Sequence, residues 1–371
     1  MKSITNFLFA TLLILLALDS SAQAYRPVID LGTLGGPYNF GSIAYSVNNK
    51  GQIVGYAYDS SGAPQHACLF DKTGGGNNID LGTLGGDRSE AYSINNNGQI
   101  VGGADNSSGW WGACLFDSTG GGANKQLGVD SANYINDNGQ IVGGSGNPAR
   151  AFLLDPDGYG NYNYINLGGR FFPGWEISSA SSINNNGQIV GGSSLFGTPR
   201  AFLLDPEGGG NYNCIELGGY FSGALSINDS GQIVGYARNS SPTNRACLFD
   251  STGGGANIDL GTLGGDYSEA HSINNNGQIV GDGANESAGY YGYRACLFDP
   301  TGQGNNIDLN TLIDPSSRWI LQRAYSINNN GWIVGYGTNP DGYTRAYLLT
   351  PEPATVCLLG LGALSLIRRK R

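Results

Sequence analysis

The stretch that decides the fold is Ser93–Gly102, which reads SINNNGQIVG. Ile94 leads into Asn95-Asn96-Asn97-Gly98, and Gln99-Ile100-Val101 then resumes an apolar run. Asn and Gly tolerate positive φ, which a tight hairpin needs, so the apolar residues on either side predict two paired strands. The same sentence recurs with its turn glycine at Gly51, Gly98, Gly139, Gly187, Gly231, Gly277 and Gly331, at intervals of 47, 41, 48, 44, 46 and 54 residues. A period of roughly 40–50 residues belongs to propeller blades and other arrays, so the repeat outranks any domain count drawn from length.

Each unit carries four β-like runs. In the second unit run A is Ala91 to Asn95, run B is Gln99 to Gly102, run C is Ala113 to Phe116 and run D surrounds Gln126-Leu127. Four short strands per unit, joined by turns, is the pattern of a propeller blade. Runs A, B and C occur seven times, the last set ending at Ala346-Tyr347-Leu348-Leu349 with Pro351 in place of a run D. An orphan run D, Val28-Ile29-Asp30-Leu31-Gly32, opens the mature chain. The counts match if that orphan completes the final blade, which also removes exposed sheet edges. The expected fold is therefore all-β: a seven-bladed β-propeller closed by an N-terminal strand completing the last blade. A β-solenoid is the second choice, but it gives no reason for complementary ends.

The 62 glycines and 13% charged residues suit a strand-and-turn protein of small side chains. Formal charge is −10, and dropping Lys2, Asp19 and the last four basic residues leaves 14 basic against 28 acidic residues, a net of −14. Such a body is a poor partner for nucleic acid or an anionic membrane surface. Residues 1–24 read as a secretory signal peptide, with Lys2, the apolar Phe7–Leu18 and the small-residue site Ala22-Gln23-Ala24. The expected domains are then the signal peptide 1–24, a propeller over 25–350 and a sorting tail over 351–371.

That tail consists of Pro351-Glu352-Pro353, the apolar Ala354–Ile367 and Arg368-Arg369-Lys370-Arg371. Its fourteen apolar residues would span about 21 Å as a helix, against about 30 Å of hydrocarbon, which is short for a permanent anchor. The basic end would remain cytoplasmic with the body exported. This tripartite tail resembles the PEP-CTERM sorting signal. The resemblance implies recognition by the membrane protease-transpeptidase exosortase, cleavage near the motif and only transient membrane association. The run His66-Ala67-Cys68-Leu69-Phe70, its relatives at Arg150, Arg200 and Arg245, and the repeated Ser-Ile-Asn sentence resemble the HAF repeat of bacterial extracellular proteins. That family is known by its repeat and brings no catalytic residues.

If run A is innermost, the A–B and C–D turns share one uniform face, and the variable D–A and B–C loops share the other. The variable loops hold Trp110-Trp111, Tyr290-Tyr291, Phe172, Trp175 and Trp319. Aromatic platforms on loops suit a sugar, so these are the candidate ligand-binding residues. His66 and His271 are the only histidines; His66 stands where other units carry Arg, which favours a structural role over a general base. No hydrolase elbow, zinc-protease or phosphate-loop motif occurs. Cys68, Cys114, Cys247 and Cys296 hold a position that Phe152, Phe202 and Tyr347 fill elsewhere, which predicts buried hydrophobes and no disulfide. The Asp and Asn of the linkers read as turn chemistry, with calcium a weaker option and no cofactor expected.

The expectation is an exported, exosortase-sorted surface or matrix protein, not an enzyme, whose variable face binds exopolysaccharide or a partner protein. The alternative is a secreted carbohydrate-active hydrolase or lyase. It needs carboxylates about 5–10 Å apart near the channel, with Asp87, Glu90, Asp266 and Glu269 the candidates.

Overall fold

A computed structural model describes Tyr25 and residues 27–35, 41–60, 64–146, 150–168, 175–195, 198–238, 242–285 and 292–352. Those residues form seven four-stranded antiparallel sheets, and in six of them the strand order is the chain order. The seventh takes its outer strand from the start of the chain: Ile29–Asp30 lies beside Thr344–Leu349, pairing Ile29 with Leu348 and Asp30 with Tyr347. The Leu31 amide extends the ladder by donating to the Ala346 carbonyl at 3.0 Å. The architecture is a seven-bladed β-propeller whose orphan run D completes the last blade.

Run A is the inner strand. Each run A packs against run A of both neighbouring blades, and their residues line the axial cavity. The Asn-Gly turns carry the expected left-handed glycine, from Gly51 at φ 74° to Gly331 at φ 75°. A second glycine, in the Ile-Val-Gly of run B, has a different cause. At Gly55 a Cβ would stand 1.9 Å from the Ile43 carbonyl oxygen, and at Gly143 1.8 Å from that of Ser131. The inner and second strands therefore approach too closely for any side chain there.

The core consists of seven apolar seams, one between each pair of blades. Between the first and second blades, Val54, Ala67 and Leu81 of one pack against Ala91, Ile94, Ile100, Ala104, Cys114 and Phe116 of the next. The seam between the last and first blades is built alike, from Val334, Ala346 and Leu348 with Leu31 in the place of Leu81. The closing segment thus supplies both a strand and a core side chain.

Polar side chains bind the inner ring. The first Asn of each turn donates through Nδ2 to the equivalent carbonyl of the next blade: Asn48 to Asn95, Asn95 to Asn136, and so on around to Asn328, which returns to Asn48, all at 2.8–3.0 Å. A second circle lies beside it. There each second-position amide donates to the Oδ1 of its neighbour, from Asn49 to Asn96 and finally from Asn329 back to Asn49.

Outer latches complete the joints, as where Asn78 Nδ2 donates to the carbonyls of Leu31 and Thr33 at 2.8 and 3.0 Å. Leu31→Ala should cost about 2–5 kcal/mol of unfolding free energy, measured by denaturant titration, because the residue is 1% exposed. A cost below about 0.5 kcal/mol, the level of an ordinary surface substitution, would show that the closing seam is not a core seam.

Candidate functional site: the axial channel

Each inner strand has the same irregularity. Its pairing with run B slips by one residue just after the run A alanine, as between Ala44 and Ser46, Ala132 and Tyr134, or Ala270 and Ser272. All seven blades share this bulge, so one residue per blade leaves the ladder. Those residues are Tyr45, Tyr92, Asn133, Ser181, Leu225, His271 and Tyr325. A bulge re-aims a side chain, and Tyr45, Tyr92, Leu225, His271 and Tyr325 line an axial cavity of about 280 Å³.

The ring is asymmetric. Blades six, seven, one and two present a continuous aromatic wall, with ring centroids 5.4 Å apart for His271–Tyr325, 5.3 Å for Tyr325–Tyr45 and 5.7 Å for Tyr45–Tyr92. Tyr56 and Tyr336 back this wall at 5.8 and 5.9 Å from Tyr45 and Tyr325. Of the remaining three blades, the fifth offers Leu225 and the third Tyr134, one residue past its bulge, while Asn133 donates to Ser179 Oγ and the Ala180 carbonyl of the next blade.

Behind the wall lies a buried charge. Asp282, on the second strand of the sixth blade, is 0% exposed. Its Oδ1 is 2.5 Å from His271 Nε2 and 3.5 Å from Arg323 Nε, while Oδ2 has no hydrogen-bond partner among the described residues. A carboxylate on Nε2 fixes the proton there and leaves Nδ1 as the basic nitrogen, the arrangement of a general base. The Arg323 guanidinium lies 5.4 Å from the Tyr293 ring centroid. Burial alone would lower the Arg323 pKa, but Asp282 and the phenols of Tyr325 and Tyr336 raise it.

Two positions before the bulged residue, toward the variable loops, the sequence places Glu90 and Glu269. The alternation of a strand puts them on the channel side, and both are half-buried. Glu90 accepts from Gln65 Nε2 at 3.0 Å and from the Tyr45 hydroxyl at 3.4 Å; Glu269 accepts from Asn244 Nδ2 at 2.7 Å. Burial, then the Glu90 charge, pushes up the pKa of Tyr45, Tyr56 and Tyr92. Toward the uniform face the cavity ends at the Asn-turn rim, where Asp137 and Asp229 both accept from Asn185 Nδ2, at 3.3 and 3.2 Å.

The residues singled out from the sequence fall elsewhere. Trp110 is 74% exposed at the tip of a B–C loop. Trp111 begins the next strand, with Arg88 5.8 Å from its ring centroid and Arg88 Nε 2.9 Å from Asp105 Oδ2. Trp319 is half-buried against the core of the last seam. Trp175 starts an inner strand, and its side chain lies outside the described residues, as do Phe172, Tyr290 and Tyr291. Pro351 forms a bridge with Tyr25 and Glu352 follows it, while Pro353 and the rest of the tail lie outside. Asp87 and Asp266 are exposed in the loops, while Glu90 and Glu269 lie just outside the residues that line the cavity, Glu90 bonded to the wall residue Tyr45 and Glu269 to Asn244. The variable residue that follows the run A alanine, present in every unit, is the sequence signal for the channel ring.

His66 Nδ1 is 2.8 Å from Asp80 Oδ2, the pairing that Arg200–Glu216 and Arg245–Asp259 repeat at 3.1 and 3.4 Å. These links join the third and fourth strands of one blade. Among the described residues no three His, Cys, Asp or Glu side chains converge, and five cysteines are free, with burial pushing the Cys114 and Cys247 thiols up to about 12. The hydrogen bond to Asp80 raises the His66 pKa. Its stabilisation is therefore complete below about pH 6.5 and lost as pH rises through the raised folded value. His66→Arg should abolish that pH dependence in thermal melts while preserving stability; an unchanged pH profile would remove the pair from the account.

The PEP-CTERM protein-sorting motif model matches residues 349–371. The chain thus carries the signal of an exosortase-sorted protein, consistent with export and a cell-surface or extracellular location. The model covers the tail only, and nothing matched shows an HAF-repeat family. No curated protein matches the sequence. Among solved structures, TolB from Acinetobacter baumannii is 15% identical over 68% of this chain and 64% of its own, with a TM-score of 0.42. Pyrococcus horikoshii acylaminoacyl peptidase is 15% identical over 69% of this chain and 44% of its own, at 0.45. Trypanosoma rangeli sialidase is 12% identical over 87% and 58%, at 0.38. The chain therefore spans less than two thirds of the length of each. The expectation that the protein is not an enzyme is corrected here: the similar structures include enzymes by name, a sialidase, an acylaminoacyl peptidase and a putative gluconolactonase.

Proposed function

We propose that this exported propeller is a secreted carbohydrate-active enzyme, a hydrolase or lyase, whose reacting groups lie on the aromatic side of the axial channel. The observation that carries the reading is the His271–Asp282 pair, held by a fully buried carboxylate on the wall of a cavity. A buried charge is costly unless it serves its neighbours, and here it orients an imidazole beside a row of phenols. Glu90 and Glu269 add carboxylates toward the variable loops, and stacked tyrosines offer faces to a sugar ring. The cavity is close to the smallest ligand sites, about 300 Å³, so it suits one sugar unit of a longer chain. Trp110 and the Arg88–Trp111 pair, on the loop face, would then hold more distant units of the polymer. The sequence divides accordingly into a signal peptide 1–24, the propeller 25–350 and a tail 351–371 that exosortase removes.

The test is a panel of bacterial polysaccharides incubated with the purified protein, reading reducing ends and unsaturated sugar ends separately. Cleavage should fall about 100-fold or more in His271→Gln and in Asp282→Asn, the loss expected of an acid–base group. Cleavage that persists unchanged in both variants would overturn the assignment of the site, and cleavage of no glycan would overturn the reading. On the same panel, Trp110→Ala should weaken binding of long chains more than of single sugars.

A further inference from the structure

The charges along the channel do not cancel. Asp282 is matched by Arg323, but Glu90 and Glu269 toward the loops, and Asp137 and Asp229 on the turn rim, have only amide and hydroxyl donors among the described residues. Amide donors stabilise a carboxylate without neutralising it, so carboxylates stand toward both ends of the passage, with Arg323 and Asp282 paired between them. Between the two carboxylate pairs stands the wall of tyrosines, whose ring faces carry negative quadrupole potential. The tyrosines record this field: after burial, Glu90 raises the Tyr45 and Tyr92 pKa, and Asp137 and Asp229 raise that of Tyr134, which is pushed up to about 12. The Asp282 Oδ2 atom, fully buried and unpartnered, adds a further uncompensated acceptor behind the same wall.

We propose that the channel recognises a glycan bearing free protonated amino groups, that is, a hexosamine polymer from which N-acyl groups have been removed. The proposal rests on the carbohydrate reading above and names its substrate class. An ammonium group gains from both features at once: a carboxylate within reach as counter-ion, and aromatic faces that favour cations. An acetylated sugar keeps the stacking and loses the charge term. A uronate is repelled, both by the channel carboxylates and by a chain whose formal net charge is −10. A lysine-rich peptide could satisfy the charge term, but its amines sit on long flexible stems with no ring to lie against the tyrosine wall.

Calorimetry with the intact propeller tests this, using glucosamine hexamer, its fully N-acetylated counterpart, an oligouronate and a lysine hexapeptide at low salt. The account expects the free-amine hexamer to bind at least about 10-fold tighter than the acetylated one, with an advantage that shrinks in salt and above the amine pKa. Glu90→Gln with Glu269→Gln should erase that advantage, bringing the free-amine and acetylated hexamers to the same affinity. Equal or tighter binding of the acetylated hexamer, the uronate or the peptide would overturn the proposal while a bound sugar left the carbohydrate reading standing. Binding of none would overturn both. The salt and pH titrations on the unaltered protein decide the matter even where the double variant fails to fold.

Discussion

Everything in this molecule depends on a circle of buried asparagines. Each passes one amide hydrogen to the blade ahead of it, and the seventh passes its hydrogen to the first. Such bonds are worth about 0.5–1.5 kcal/mol each in net stability, but an interrupted one leaves a buried group unsatisfied at about 1–3 kcal/mol. That asymmetry, repeated around the ring, holds the inner strands to a common radius. A channel of fixed width follows, and with it the fixed positions of the seven bulged residues.

The same repetition makes the site economical to vary. The bulge and the close-packed glycine are identical in every blade, so one residue per blade can change without disturbing the scaffold. Blades six, seven, one and two use that freedom for His271, Tyr325, Tyr45 and Tyr92, and the other three carry Asn133, Ser181 and Leu225 there. The two ends of the channel face different surroundings. Leu349 pairs with Ile333 just beyond an Asn-Gly turn, so the sorting tail leaves on the rim that carries Asp137 and Asp229. Trp111 pairs with Asp105 at the far end of its sheet, on the face of the variable loops.

Much of the fold was legible because the repeat states it. The Asn-Gly turns, the four runs per unit and the mismatch between the orphan run D and the incomplete last set were enough to predict a closed ring. The exchange of Cys68 with Phe152 correctly read both as buried. The site was less legible for a physical reason. Attention to conspicuous loop aromatics led to Trp110 and Trp319, of which one is solvent-exposed and the other packs on a seam. The channel residues are single letters inside the most regular part of the repeat, and their direction depends on a one-residue slip in strand pairing. Asp282 was equally hidden, since its position in run B carries Gly or Tyr in the other blades and only the fold brings it to His271.

The central claim is that seven blades form one closed unit with no weak end. Native-state hydrogen exchange of the second-circle amides, Asn49, Asn96, Asp137, Asn185, Asp229, Asn275 and Asn329, tests it directly. A closed ring predicts the same opening free energy at all seven, equal to that of global unfolding. Protection that falls away stepwise toward Asn49 and Asn329, as at the ends of an open array, would contradict it.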